Sequence, residues 1–430
     1  MAPALRTADP PILLPMAAYH GTLAAVRCLG AAGIRVTLVE SRLLVPAVWS
    51  RYVWRRTRAP SPELQPERFI EWLLEFGARN ERHVLYPTSD DVAFLYAAHR
   101  AELGRHFHLH HPSLESTWEV LNKTRLEHAA RAVGLAVPRT WVPRDEATFE
   151  RIAAEAIFPV VIKPQTQALL HPHLKGVVVA TAAGLRPRHR EFTAAARHDA
   201  LVVAHDPSVG IAAVQEYALF ASEDVYGISG FIDESGEQFV ARASRKILQQ
   251  PRELGVGLCF EEAEVVPELA AKVRALCLRA GHHGVFEAEF IQDRGGAHQL
   301  IDFNPRFYGQ MAFDVARELP QPLLAYEHAL GRPESVARLV AAARSRTGPR
   351  DVIYCRRFEL ELMVALRRLF GSMSREEAAR WRGWLSQHEA RLVDAVQAPH
   401  DRRPGVVEAL HLLEGFVRHP RSFVRRLLWT

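Results

Sequence analysis

The stretch QLIDFNPRFYGQ, residues 299–310, is the one from which the rest of the chain can be read. In an extended strand, side chains alternate between faces. Leu300, Asp302 and Asn304 therefore share one face, and Ile301 and Phe303 share the other. Pro305 ends the strand at Arg306. A carboxylate beside an amide oxygen, with a guanidinium just beyond, suits a hard cation and the phosphate it carries. The same alternation also suits an edge strand with a solvated polar face. Upstream, GVFEAEF (284–290) and the DRGG turn (293–296) complete a β-hairpin. Its first strand carries Glu289, with Glu287 two residues earlier on the same face. Antiparallel pairing can bring Glu289, Asp302 and Asn304 together. A one-residue slip would reverse one strand's faces. Three oxygen ligands, two of them anionic, would hold one or two Mg2+ ions, with phosphate oxygens completing the octahedra.

Working outward, two lysines stand where phosphate would be drawn. Lys163 ends the apolar strand FPVVIKP (158–164), and Lys123 opens the helix NKTRLEHAARAVG (122–134), where anions collect. Asn122 is the expected N-cap, and Gly134 ends that helix. Carboxylates and lysines together read as a nucleoside triphosphate site without a P-loop, since no G-x-x-x-x-G-K-[ST] occurs. The N-terminal part reads as a βαβ unit: PILLPM, then GTLAAVRCLGAAG with Leu23, Val26 and Leu29 at helical spacing, then IRVTLVE. That implies a doubly wound parallel sheet. A dinucleotide fingerprint needs three glycines at the first turn, and only Gly21 is there.

Composition sets the outer bounds. The 430 residues are 48% hydrophobic and 24% charged, enough for two or three ordinary globular domains. The net charge of +5 fits anionic small molecules. No basic run interleaved with aromatics calls for nucleic acid outside the C-terminus. No run of 18 apolar residues exists, so no transmembrane helix is expected. The N-terminal apolar stretch is too short and proline-broken for a signal peptide. Four cysteines far apart in sequence read as reduced core thiols of a cytoplasmic protein.

At this point the chain resembles the ATP-grasp superfamily, in its carboxylate–amine ligase branch with the D-aspartate ligase-like enzymes. The resemblance spans roughly residues 12 to 335. It is carried by SRYV (50–53), YPTSDD (86–91), NKTR (122–125), VPRTW (137–141), FPVVIKP (158–164), VQEYA (214–218), RKILQQPRELGVG (245–257), EAEF (287–290) and IDFNPRFYG (301–309). It implies an α/β plus α+β architecture. A doubly wound preATP-grasp domain (1–112) precedes a two-subdomain ATP-grasp fold (113–335, with a small subdomain about 139–213). A helical C-terminal extension (336–430) follows. On that pattern Lys123 and Lys163 contact phosphates. Gln215, Glu216, Tyr217 and Ala218 form the linker that reads adenine, and Glu223 or Asp224 holds the ribose. Glu289, Asp302 and Asn304 bind Mg2+, with Mn2+ as a substitute, and Arg306 lies near the transferred phosphoryl group. Lys246 and Arg245 face the substrate carboxylate. The implied reaction joins a carboxylate to an amine, with an amino acid as the expected substrate. The carboxylate attacks the γ-phosphate of ATP to give an acyl phosphate, which the amine then attacks. The alternative is a nucleotide-binding regulatory or scaffold protein of the same fold, or an enzyme of that fold with bicarbonate or a thiol as acceptor.

Two departures stand out. PQTQALLHPHLKG (164–176) occupies the place of the flexible phosphate lid, yet holds only Gly176. Asp302 stands where the pattern has glutamate. Arg242, Arg245, Lys246 and Arg252 suggest an acidic acceptor or an amino-acid carboxylate. Several features lie outside this reading. RHFHLHHP (105–112) places His106, His108 and His110 on one strand face, where zinc is conceivable. A solvated or crevice-lining strand is favoured, because no carboxylate or cysteine sits at ligand spacing. His282 and His283 read as helix-end residues. Tyr19 and His20 follow the first strand, where α/β sheets bind ligands. The segment 410–430 sets an apolar face (Leu412, Leu413, Phe416, Val417) beside arginines. A packed appendage is favoured over an interfacial membrane helix, since Pro420 interrupts it. A homodimer is the base expectation.

Overall fold

The computed structural model describes residues 7–217, 220–250, 255–348 and 350–418, with the side chains of 220–224 outside that set. Three larger sheets, beside a two-stranded pairing of Leu170–His171 with Arg197–His198, organise the described residues. The first is parallel, in the order Val53–Thr57, Val36–Val39, Ile12–Leu14, Val84–Leu85. Ile12, Leu14, Val36, Leu38 and Val84 are almost fully buried, as continuous apolar runs in a sheet covered on both sides should be. The helix His20–Ala31 follows the first strand as expected and ends before Gly33, whose φ is 82°. The lone glycine at that turn has a packing role. A Cβ on Gly21 would lie 2.3 Å from the Tyr308 carbonyl oxygen, so only glycine lets the helix start meet the loop after Arg306.

The second sheet is antiparallel, in the order Thr140–Trp141, Ala213–Glu216, Val160–Lys163, Val177–Val179. Helices Glu146–Glu155 and Ala182–Ala195 cover it through Ile152, Leu185 and Phe192. The third sheet has seven strands, ordered His298–Asn304, Gly284–Asp293, Phe220–Ile232, Phe239–Gln250, Val256–Ala263, Ile353–Cys355, Leu392–Asp394. Helix Pro267–Ala280 packs Val273, Leu276 and Cys277 on one face of it, against Ile228, Phe286 and Phe303.

The region after 336 is helical as expected, with Arg357–Leu369, Arg375–His388 and Arg403–Arg418 among its elements. It also supplies two short strands, Ile353–Cys355 and Leu392–Asp394, which continue the seven-stranded sheet. The pairing sets Cys259 opposite Cys355, Sγ to Sγ 3.5 Å, with all four cysteines free. This region also locks onto the first sheet's unit. Asp401, with a side chain 1% exposed, accepts from Arg27 Nε at 2.9 Å, from Ser50 Oγ at 2.7 Å and from the Arg51 amide at 2.9 Å. Arg27 also donates to the Val396 carbonyl at 2.6 Å. In the last described helix Leu412 turns inward while Leu413, Phe416 and Val417 stay exposed; residues 419–430 lie outside the described set. Among the described residues no helix is long and apolar enough to cross a membrane.

The run 105–112 does not form the expected strand. Only His108 makes a single bridge, to Val84, while His106 lies in the turn after the helix Arg100–Leu103. The bridge adds one residue beside the sheet, too little to align three histidines on a face.

Removing the Asp401 carboxylate would leave the buried Arg27 guanidinium without its anion. Asp401→Ala should therefore lose about 3 kcal/mol of stability. Urea unfolding of the variant beside the parent checks this, and an unchanged midpoint would contradict it.

Candidate functional site

The site grows from the hairpin register. Glu289 pairs with Asp302 and Glu287 with Asn304, directly across the two strands. The register then jumps, so that Phe290 pairs with Leu300 and Ile301 is the extra residue of a β-bulge. This corrects the simple alternation. Leu300 packs in the apolar core with Phe303, and Ile301 joins Asp302 and Asn304 on the open side. The bulge lets one short strand keep an apolar anchor and present its polar residues to the cleft.

That cleft has a volume of about 900 Å3 and lies between the second and third sheets, with the first sheet's C-terminal loops at one end. Glu289, Asp302, Asn304, Arg306, Lys123, Lys163 and Lys246 all line it. Lys123 Nζ donates to Asp302 Oδ1 at 2.5 Å, and Lys246 Nζ to Glu289 Oε1 at 2.9 Å. Lys163 Nζ donates to Gln215 Oε1 at 2.6 Å, and Gln215 Nε2 reaches Thr140 Oγ1 at 2.9 Å. Asn122 caps the Lys123 helix through the amides of Thr124 and Arg125, as expected. Arg306 bridges two units. Its Nε donates to Asp90 at 2.7 Å, and its Nη2 to Asn304 Oδ1 at 2.8 Å. Glu287 accepts from Asn304 Nδ2 at 3.0 Å and from Gln310, which turns the Asn304 amide oxygen away from Glu287.

The electrostatics follow from burial and charge. Burial pushes Asp302 up, but Lys123, then Lys163 and Arg306, hold it below the usual carboxylate range. Burial pushes Lys246 down, yet Glu289, Glu287 and Asp302 hold it above the ordinary lysine value. Glu287 is pushed up to about 8 by burial and then by Glu289, so it is a neutral hydrogen-bonding partner near neutral pH. Lys163 is pulled down to about 7 by burial and then by Lys123. Lys175 comes down to about 8, by burial and then by Lys246. For these two lysines burial outweighs the pull of Asp302, and for Lys175 also that of Glu289.

Some expected residues lie elsewhere. Arg245 is absent from the cleft: it pairs with Glu261 at 2.9 Å on the opposite face from Lys246, because neighbours in a strand point apart. Gln215 and Tyr217 line the cleft, but Glu216 is buried near Arg139, at 3.9 Å. The Glu216 and Tyr217 amides are taken by the carbonyls of Arg139 and Pro159. Ala218, Arg252 and the side chains of Glu223 and Asp224 lie outside the described residues. The 164–176 segment is no free lid. Ala168, Leu169 and Leu170 are fully buried, the first two in a cluster with Phe94, Trp118 and Val202. The Leu169 amide donates to Asp91 at 2.5 Å. Its leucines seek a core that a glycine-rich loop would not.

Ser89 caps the helix Asp90–Ala98, and Asp90 fixes Arg306 from 216 positions away, a pairing that no local pattern announces. Tyr19 and His20 do line the cleft. Beside Tyr19 lies a corner in which Glu63, Asp91 and His173 converge to within 4.8 Å. Tyr19 donates to Glu63 at 3.2 Å, and His173 faces Glu63 at 3.6 Å.

No family model matches the sequence, and no curated protein sequence matches it. Solved structures do match. An N5-carboxyaminoimidazole ribonucleotide synthetase bound to ADP aligns with TM-score 0.55 at 12% identity, over 74% of this chain and 77% of that one. The biotin carboxylase domain of Hydrogenobacter thermophilus 2-oxoglutarate carboxylase, with MgADP and bicarbonate, gives 0.58 at 14%, over 81% and 75%. The L-amino acid ligase of Bacillus licheniformis gives 0.54 at 13%, over 75% and 74%. The chain has the ATP-grasp fold. At these identities the likeness is one of fold. The second and third sheets clasp the cleft, and the hairpin 284–304 forms its carboxylate wall.

Lys163 offers a direct test of this electrostatic reading. In the free protein at pH 8 its amine is mostly neutral, because its pKa is about 7. A bound polyphosphate would raise that value, so binding of metal-free ADP at pH 8 should take up protons. Lys163→Met should lower the uptake, leaving the share that Lys175 contributes. Titration calorimetry in two buffers of different ionisation enthalpy reads the difference, and equal heats for the parent chain would count against it.

Proposed function

We propose that this protein is an ATP- and Mg2+-dependent ligase that joins a carboxylate to an amine through an acyl phosphate. The observation that carries the proposal is the convergence of Glu289, Asp302 and Asn304 on one wall of the cleft, within reach of Lys123, Lys163 and Arg306. Two carboxylates and an amide oxygen are the donor set for a hard divalent cation. Those three residues would hold Mg2+, which when bound neutralises phosphate charge and orients the γ-phosphoryl group.

The chain's own residues do the remaining work. Lys123 and Lys163 bind phosphate oxygens, and Gln215 and Tyr217 flank the base. Arg306, fixed by Asp90 and Asn304, supplies positive charge where the phosphoryl group is transferred. A substrate carboxylate oxygen attacks the γ-phosphorus, and the bond to the bridging oxygen breaks as ADP leaves. The amine lone pair then attacks the acyl carbon, a proton is lost from nitrogen, and phosphate departs. No side chain forms a covalent bond; positioning and charge do the catalysis. Lys246 and Arg356 give the carboxylate end a basic wall. The Glu63, Asp91 and His173 corner offers an anionic seat for an ammonium group. An amino acid, carrying both charges, fits this polarity. The solved ligases of this fold, including one described as an L-amino acid ligase, lend the reading support.

A second reading has a specific observation behind it. The buried 164–176 segment favours a nucleotide-binding protein of the same fold without turnover. ADP release, with and without pools of amino acids, separates the two. Release that requires a carboxylate–amine pair, with the amide identified by mass spectrometry, supports the ligase. Glu289→Gln should then lower kcat by at least about 100-fold while the circular dichroism spectrum still shows a folded chain. Unaltered amide formation by that variant would remove Glu289 from the mechanism.

A further inference from the structure

Outside the cleft, three histidines and one carboxylate from four separate parts of the chain meet at one point. His110 leaves the run after the His108 bridge, and Glu234 sits in the turn after the strand Phe220–Ile232. His283 lies between the helix Pro267–Ala280 and the strand Gly284–Asp293, and His328 is in the helix Gln321–Ala329. One ligand atom from each lies within 4.8 Å of all the others. His328 Nε2 is 3.0 Å from Glu234 Oε2, His283 Nδ1 is 3.7 Å from Glu234 Oε1, and His110 Nε2 contacts the same Oε1. The three ring centroids are 4.4 to 5.4 Å apart. None of the four residues lines the cleft.

We propose that His110, Glu234, His283 and His328 form a structural zinc site. Three imidazoles packed this closely around a single carboxylate all aim nitrogen at one small volume. His283 Nδ1 is buried and makes no hydrogen bond there. Imidazole nitrogen with one carboxylate oxygen suits a borderline cation better than Mg2+ or Ca2+, which take oxygen donors. Zinc binds such ligands at about 2.0–2.2 Å in a tetrahedron. Tetrahedral ligand atoms are then about 3.4 Å apart, close to the His328 and His283 contacts with Glu234, while His110 would draw back from Glu234 to admit the ion. Four protein ligands leave no open position, which makes the site structural and not catalytic. The ion would pin the His110 run of the first sheet's unit to the large sheet, because Glu234, His283 and His328 all belong to or pack on that sheet. The His328 ring is held edge-on to Phe231 at 5.2 Å, so one ligand is already oriented. Sequence spacing argued against zinc at His110 because no partner lies nearby along the chain; the partners come from 124 to 218 positions further on.

The test uses the full-length chain, free of any affinity tag, purified without chelator from zinc-supplemented culture. Metal analysis should find about one zinc ion per chain after gel filtration. The pair Glu234→Ala and His328→Ala should lose it, whereas Glu289→Gln in the cleft should keep it. Two measurements on the unmutated chain remain informative if the double variant does not fold. Zinc returned to the metal-stripped protein should raise its melting temperature, and cobalt in its place should give the visible bands of a tetrahedral ion. A parent chain that retains no zinc, shows no thermal shift and gives no cobalt bands would overturn the proposal. So would a folded double variant with its full complement of zinc.

Discussion

The strands Gly284–Asp293 and His298–Asn304 are held in the register that sets Glu289 against Asp302 and Glu287 against Asn304, and everything at the cleft depends on it. A slip by one residue would send the carboxylates into the core and the phenylalanines into water. The core prevents this. Ala288, Phe290, Leu300 and Phe303 pack against the helix Pro267–Ala280, so the apolar face fixes which way the polar face looks. The bulge at Ile301 reconciles that packing with two consecutive cleft-facing residues, Ile301 and Asp302.

Around that wall the charges are arranged in mutually dependent pairs. Lys123 meets Asp302, Lys246 meets Glu289, and Arg306 joins Asn304 to Asp90. A buried ion pair of this kind contributes little net stability against an apolar replacement, because desolvation offsets the Coulomb attraction. Its value lies in poise: each partner is held in place and can exchange a neighbour for an incoming ion of the same sign. Glu287, kept neutral by burial and by Glu289, orients the Asn304 amide without adding another charge to the wall.

The two ends of the cleft differ in character, and the difference comes from which unit supplies them. The large sheet brings Lys246 and, from the strand edge, Arg356. The first sheet's loops and the 164–176 segment bring Tyr19, Asp91 and His173. The 164–176 segment is tied to the first unit because Ala168 and Leu169 are buried among Phe94 and Trp118. Residues 350–418 contribute in the same way. Two strands and the Asp401 cluster make them part of the sheet and of its contact with the first unit.

Much of this was legible along the chain, because it rests on local physics. Alternation and β-branching marked the strands, Asn122 marked a helix start, and DRGG marked the hairpin turn. Those signals were enough to put Glu289, Asp302, Asn304, Lys123 and Lys163 on elements that lead to one cleft. What only the tertiary structure decided involved residues far apart in sequence or a single step of register. The bulge turned Ile301 outward, and strand geometry sent Arg245 away from Lys246. Asp90 found Arg306, and His110 found Glu234, His283 and His328. A linear pattern encodes which face a residue prefers, because that preference is set by its near neighbours. It does not encode which distant side chain shares that face, because packing of whole sheets sets that distance.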